Sequence, residues 1–336
     1  MMDPSKIMQV GLGFWASKTL LAAIKLELFT HLGDHTYSVD KIKESTGIKG
    51  HAALDFLDAL YSLGFLEREG VGASAMYKNT PETGFFLDKN RPAYIGGFFE
   101  MANDREYRFW ADLEEGLTTG LPQNEIKQTG LESFTAIYQH SVREFTEAMT
   151  SIQLGGFSAF VDKFDFSSYN SLLDLGGSGA TLSALVAGKH PHMHCISYDM
   201  PAVEFLAKET VQNFNLEGQV TIQSGNFFTD ELPKADMITM GNILHSFDLE
   251  KKKLLIKKSY EALPIGGALC IIELIIDEER RHNTFALLMS LNMLIESDGG
   301  FNYTMSDFEV WARDAGFTKI EIFPLAGPTS AAIAYK

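Results

Sequence analysis

Cysteine is nearly absent: the 336 residues hold two, Cys195 and Cys270. Both lie in apolar stretches that read as buried strands, which excludes a disulfide framework and makes a reducing, cytoplasmic setting the expected one. Basic residues are also in deficit. The 28 Lys and Arg stand against 44 Asp and Glu, a net charge of −16. Such a chain repels nucleic acid and anionic membrane unless a local basic patch exists. The longest basic run, Lys251 to Lys253, reads as the solvated start of a helix. Long apolar runs are missing too. Even Ala268 to Ile276 is broken by Glu273, well short of the ~20 residues a membrane span needs. The opening Met-Met-Asp-Pro-Ser-Lys leads into an amphipathic segment, where a secretory signal would have an apolar core. No internal repeat or low-complexity tract is present. The length allows two domains, each with a sizeable core.

The most informative stretch is Ser171 to Thr181, Ser-Leu-Leu-Asp-Leu-Gly-Gly-Ser-Gly-Ala-Thr. The apolar residues around Asp174 predict a short buried strand, Gly176, Gly177 and Gly179 a tight turn, and Ala180 to Gly188 a helix. Glycine admits positive φ and close approach of a ligand, and a helix start offers unpaired N–H groups. A second strand, His194 to Asp199, ends on a carboxylate placed to accept from both hydroxyls of a ribose. The G-x-G-x-x-G/A fingerprint of dinucleotide sites puts its third small residue where Leu182 stands. An adenosyl ligand without a pyrophosphate therefore fits better than a nicotinamide or flavin. The bland alternative is a glycine turn that binds nothing, and Asp199 weighs against it.

Residues 1–95 predict a helical domain. Ala16 to Leu32 carries Leu20, Leu21, Ile24, Leu28 and Phe29 on one face, Ser38 caps a helix to Thr46, and Lys49 to Leu63 forms another ended by Gly64. Phe65 to Tyr77 then reads as a small hairpin. Helices followed by a wing describe a winged helix, a shape that in many proteins binds DNA. The would-be reading helix instead carries Asp55 and Asp58 among apolar residues, and phosphate would repel it. A dimerisation surface is the better expectation, because the apolar faces of Ala16 to Leu32 and Lys49 to Leu63 exceed what one small domain can bury.

Residues 96–165 continue helical, with an aromatic stretch at Tyr107, Phe109 and Trp110, a break at Gly120-Leu121-Pro122, and Phe134, Tyr138, Phe145, Met149 and Ile152 near helical spacing. Most such stripes are core, but this one precedes the glycine turn and is a candidate roof for an apolar pocket. From 166 to 336 strands and helices alternate, predicting a mostly parallel sheet of seven strands with ligands beyond the strand ends.

Past the third strand stand Gly225, Asn226 and Phe227, an amide and a ring suited to an adenine; past the fourth come Gly241, Asn242 and His245. With an ordinary pKa near 6.5, His245 can take a proton at neutral pH, although a lone histidine is as often structural. Glu273 interrupts a buried strand, which is costly for an unpaired carboxylate, and an imidazole is a natural partner. His190, His192 and His194 do not make a metal site, since no carboxylate cluster accompanies them.

Leu172-Leu-Asp-Leu-Gly-Gly-Ser-Gly179, Tyr198-Asp-Met-Pro201, Gly225-Asn-Phe-Phe228, Gly241-Asn-Ile-Leu-His-Ser-Phe-Asp248, Gly299-Gly300 and Asp314-Ala-Gly-Phe317 together resemble the S-adenosylmethionine-dependent O-methyltransferases of the plant caffeate and hydroxyindole type, which include bacterial natural-product enzymes. Trp110 to Pro122 resembles the family's aromatic helix and Gly-Leu-Pro turn. The resemblance implies a class I Rossmann-like methyltransferase fold behind a winged-helix dimerisation domain, a homodimer, and no metal. It implies that Asp174, Gly176, Gly177, Gly179, Asp199, Met200, Gly225, Asn226, Phe227, Gly241 and Asn242 hold the cofactor. Met200 and Phe227 would sandwich the adenine, and Asn226 would meet its amino group. His245 matches the general base and Glu273 the carboxylate that steers it. Three positions depart: Asn226 replaces an acid, Ser246-Phe247 replaces Asp-Trp after the base, and Asn302 stands where a second flanking carboxylate is expected.

For the acceptor, Phe98, Met101, Trp110, Phe145, Met149, Ile152, Asn292, Met293 and Glu296 suggest a flat, mostly apolar molecule with one or two polar groups. The leading expectation is metal-independent methyl transfer to a hydroxyl of a small aromatic or polyketide-like metabolite. N- or C-methylation, non-methylating chemistry with the same cofactor, and a non-catalytic cofactor-binding regulator are the alternatives.

Overall fold

In a computed structural model that describes residues 2–131 and 133–336, the chain forms two compact units, Met1–Arg108 and Phe109–Lys336. The sequence-based division at 95 and 165 runs differently: residues 96–108 go with the first unit and 109–165 with the second.

The first unit is a winged helix. Helices Ser5–Gly11, Gly13–Lys25, Leu28–Leu32, Val39–Thr46 and Ala52–Ser62 are joined by a small antiparallel sheet of β1 (Tyr37–Ser38), β2 (Leu66–Glu69) and β3 (Met76–Asn79), in the order β1-β3-β2. The single helix expected over Ala16 to Leu32 is broken, because Glu27 takes a left-handed φ of 54°. Ser38 caps Val39–Thr46 by accepting the Lys41 N–H at 3.3 Å. On Ala52–Ser62, Asp55 is exposed, while Asp58 accepts from the Tyr77 hydroxyl (2.5 Å) and Arg68 (2.6 Å). Those donors hold the Asp58 carboxyl below the usual range.

The apolar faces expected to be in surplus are in fact satisfied: Leu21, Ile24, Leu28, Phe29, Leu32, Leu57 and Leu60 are buried within the unit. The surplus lies earlier in the chain. Ile7, Met8, Val10, Phe14 and Trp15 are each at least half exposed.

The helical stretch expected after residue 96 resolves into short pieces that run from the end of the first unit into the second, of which Leu113–Thr119 ends at Gly120. The long helix Ser133–Lys163 bends at Ser141 (φ −168°, ψ 77°). A seven-stranded sheet follows, built from β4 (Ser171–Leu175), β5 (His194–Asp199), β6 (Val220–Ser224), β7 (Met237–Gly241), β8 (Ala268–Glu273), β9 (Lys319–Pro324) and β10 (Ser330–Tyr335), in the order β6-β5-β4-β7-β8-β10-β9. Six strands run in one direction, five of them paired in parallel, and β10 runs antiparallel to its neighbours β8 and β9. Helices cover both faces. Phe157, Phe160, Val186 and Val211 pack on one, and Leu255, Ile256, Phe308 and Trp311 on the other. Both cysteines are buried in strands, Cys195 in β5 and Cys270 in β8. Connections run outward from β4 in one direction and from β7 in the other, so the crevice beyond β4 and β7 is the switch point where such sheets bind ligands.

Candidate functional site

At the switch point the glycine turn is closely packed. Gly176 adopts φ 73°, and a Cβ there would collide with Ile243. A Cβ at Gly177 would collide with Ser197 Oγ, a buried hydroxyl without a hydrogen-bond partner among the described residues. Ser178 (φ 48°) and Ala180 (φ 59°) are also left-handed, and helix Thr181–Lys189 starts directly after them. This cradle of backbone fits a ligand that approaches closely.

Asp174, expected among the cofactor residues, is buried next to the turn. Its carboxylate accepts from Thr239 (2.7 Å) and Ser183 (3.3 Å), and burial pushes its pKa up to about 6. Asp199 ends β5 with Oδ2 accepting the Ser178 N–H at 2.8 Å and Oδ1 the Met200 N–H at 2.6 Å. Burial raises its pKa and the two amides oppose the rise. Each oxygen keeps a further lone pair, the pair of acceptors that the two hydroxyls of a ribose diol need. Tyr138, before the helix bend, is near enough for the Asp199 charge to add to the upward shift that burial gives its hydroxyl.

The loop after β6 is built around Asp230, which accepts from the Asn226 N–H (2.8 Å) and the Tyr198 hydroxyl (3.1 Å). A Cβ at Gly225 would strike that tyrosine. Asn226 is exposed, and its Oδ1 accepts the Phe228 N–H at 2.9 Å. That bond orients the amide and leaves Oδ1 one further lone pair. Phe227 packs against Phe228 and Phe247, and Phe247 also meets Phe134. The departure from Asp-Trp at Ser246-Phe247 therefore places an aromatic cluster beside the loop.

Past Gly241, whose absent Cβ would lie 2.6 Å from the Phe157 ring, Asn242 takes φ 54° and the turn Leu244–Ser246 follows. His245 is buried, with Nδ1 unpartnered among the described residues. Burial lowers its pKa below the ordinary 6.5, the Glu273 charge opposes this, and the charge of Lys252 adds to the lowering. Glu273 ends β8 fully buried. Its Oε1 accepts the backbone N–H of His245 at 3.2 Å and its Oε2 the Tyr303 hydroxyl at 2.8 Å. A carboxylate on an imidazole N–H was expected; the hydrogen bond is to the main chain of the histidine instead. Asn302 does not flank the base as a charged group either. Its Nδ2 donates to the Leu274 carbonyl at 2.8 Å, and Oδ1 is buried without a partner among the described residues.

Helix Thr284–Glu296 carries three acceptor-pocket candidates. Asn292 Oδ1 accepts from Trp110 Nε1 at 2.7 Å, Met293 Sδ lies 3.9 Å from Ser246 Oγ, and Glu296 accepts from Asn124 Nδ2 at its carbonyl (2.8 Å) and Oε2 (3.3 Å). Phe145 meets Phe134 and Tyr138 by ring contact. Met149 is half-buried on the same helix and Ile152 is exposed. Phe98 and Met101 lie on Gly96–Met101 in the first unit. His190 and His192 are tied to the Val161 and Phe166 carbonyls.

Two residues of the site escaped the sequence reading. Tyr303 was not singled out, and Lys252, expected in solvent, is fully buried. The signal for Lys252 was available: it shares helical spacing with Leu255, Ile256 and Ser259 on the buried face of Leu249–Ala262.

Residues 110–318 match the family model of an O-methyltransferase domain, and residues 8–89 that of an O-methyltransferase dimerisation domain. The chain is 36% identical to the tetracenomycin polyketide synthesis 8-O-methyl transferase TcmO of Streptomyces glaucescens, over 99% of this chain and 97% of that one. It is 30% identical to the N,N-dimethyltransferase OxyT of Streptomyces rimosus, over 93% and 90% respectively. Human N-acetylserotonin methyltransferase, solved in complex with S-adenosylmethionine, superposes with a TM-score of 0.90 at 28% identity, covering 100% of this chain and 98% of that one. The chain belongs to the O-methyltransferase family and carries that family's dimerisation domain at its N-terminal end.

Proposed function

We propose that this protein transfers a methyl group from S-adenosylmethionine to a hydroxyl of a polyketide-derived or similar small aromatic acceptor, as a homodimer and without a metal. Similarity along almost the whole length to an 8-O-methyl transferase of polyketide synthesis carries the acceptor class. The cofactor fits the residues present: a glycine cradle that a Cβ would fill, and a carboxylate at the end of β5 with a lone pair left on each oxygen. Gly176, Gly177 and Gly179 would line the methionine part, Asp199 would hold the ribose, and Met200 and Phe227 would flank the adenine. When bound, S-adenosylmethionine supplies an electrophilic methyl group.

The chain's own part is to orient the acceptor and take its proton. A phenol of pKa about 10 is scarcely ionised at neutral pH, so a neutral imidazole beside it assists the transfer. His245 stands in that form because burial depresses its pKa. Glu273 holds the histidine's backbone in place, and Trp110, Asn292 and Met293 would contact the acceptor. Orientation supplies much of the remaining acceleration.

The similarity to an N,N-dimethyltransferase favours a second reading, transfer to an amine. Incubating the enzyme with methyl-labelled S-adenosylmethionine and a panel of hydroxylated and aminated polycyclic aromatics separates the two. Label recovered as an aryl methyl ether supports the first, and label only on nitrogen overturns it in favour of the second.

A further inference from the structure

Lysine is rarely buried without a task, because its ammonium loses hydration. Lys252 has no exposed surface. Its Nζ donates to the backbone carbonyl of Phe247 and stands 3.5 Å from the centroid of the Phe301 ring, with the Tyr303 ring at 5.9 Å. A cation on an aromatic face and a carbonyl oxygen partly replace the lost water. Both partners belong to segments that shape the candidate site. Phe247 closes the turn that holds His245, and Phe301 follows Gly299-Gly300.

The turn is therefore gripped at two places. Glu273, from β8, takes the N–H of His245 at one end, and Lys252, from Leu249–Ala262, donates to the carbonyl of Phe247 at the other. The charged and titratable groups around Lys252 are Glu273 from β8, Asp248 from the start of its own helix, Tyr303 from the segment before Met305–Ala315, and His245 itself. The anions Glu273 and Asp248 favour its ammonium form, and burial disfavours it more strongly. A positive charge here makes protonation of the neighbouring imidazole harder, which is the state a proton acceptor requires.

The geometry assigns Lys252 a positioning role: held between the Phe247 carbonyl and the Phe301 ring, it fixes the turn that carries His245 and sets a positive charge beside that imidazole. The assignment rests on the proposal that His245 is the general base.

The test has a part that needs no acceptor. In protein labelled with 13C-histidine, the His245 ring is titrated by NMR in wild type, Lys252→Met and Lys252→Arg. Loss of the charge in Lys252→Met should raise the His245 pKa, and Lys252→Arg should leave it close to wild type. An unshifted His245 in folded Lys252→Met overturns the assignment. Should that variant not fold, wild type alone decides. Burial lowers the Lys252 pKa to about 8, so the His245 resonance should show a second inflection there, and its absence is equally fatal. With an acceptor, the acid limb of kcat in Lys252→Met should move upward by the same amount, with KM for S-adenosylmethionine unchanged. If the NMR titration shifts and the rate profile does not, His245 is not the base, and the positioning role falls with it while the electrostatic coupling stands.

Discussion

Glu273 meets His245 at the main chain: its Oε1 accepts the histidine's amide N–H at 3.2 Å, while the Tyr303 hydroxyl occupies Oε2 at 2.8 Å. One carboxylate therefore satisfies two buried donors from different segments, and its charge opposes the lowering of the His245 pKa without a hydrogen bond to the ring.

Glu273→Ala should leave both donors unsatisfied, at roughly 1 to 3 kcal/mol for each. Glu273→Gln keeps an acceptor and should retain most of the stability. With the negative charge gone, the His245 pKa should fall further, so the acid limb of activity in Glu273→Gln moves to lower pH. Urea unfolding of the two variants beside a pH profile of the Gln form checks this; equal destabilisation of both would show that the accepted hydrogen bonds are not what matters.

Asp199→Ala should weaken S-adenosylmethionine binding by about 1 to 3 kcal/mol, the cost of charge-assisted hydrogen bonds to the ribose. Ser178 and Met200 lose their acceptor in the same variant, so the turn itself loosens. Isothermal calorimetry on folded protein is the check, and unchanged affinity would remove Asp199 from the cofactor site.

Light scattering should give twice the chain mass of 37.3 kDa. Because the surplus apolar surface lies on Ile7, Met8, Val10, Phe14 and Trp15, the double variant Val10→Asp with Trp15→Asp should shift the protein toward monomer. Residues buried inside the first unit, such as Leu57, would act on folding instead. A wild-type monomer at micromolar concentration would contradict the assembly.

The parts of this molecule that depend on local chemistry were legible in the chain. The seven strands follow from apolar runs, the turn from Gly176, Gly177 and Gly179, and the Asp199 carboxylate from its place at the end of a strand. What depends on partners distant in sequence was not. Nothing near Glu273 announces that its oxygens serve the His245 amide and Tyr303, and nothing near Asn302 announces that its amide is drawn to Leu274. Lys252 looked solvated because Lys251 and Lys253 flank it; helical periodicity put it on the buried face, and Phe301, almost fifty residues later, made that burial tolerable. The expected apolar surplus was misplaced for a similar reason: a stripe on one helix does not reveal how much of it the neighbouring helices cover.

The most direct test of the proposed chemistry is His245→Ala, measured for S-adenosylmethionine affinity by calorimetry and for turnover at neutral pH with an identified hydroxyl acceptor. The affinity should stay near wild type, turnover should fall by about 10² to 10⁴, and raising the pH should restore part of it by ionising the phenol in solution. Turnover at the wild-type rate at neutral pH would contradict the role given to His245.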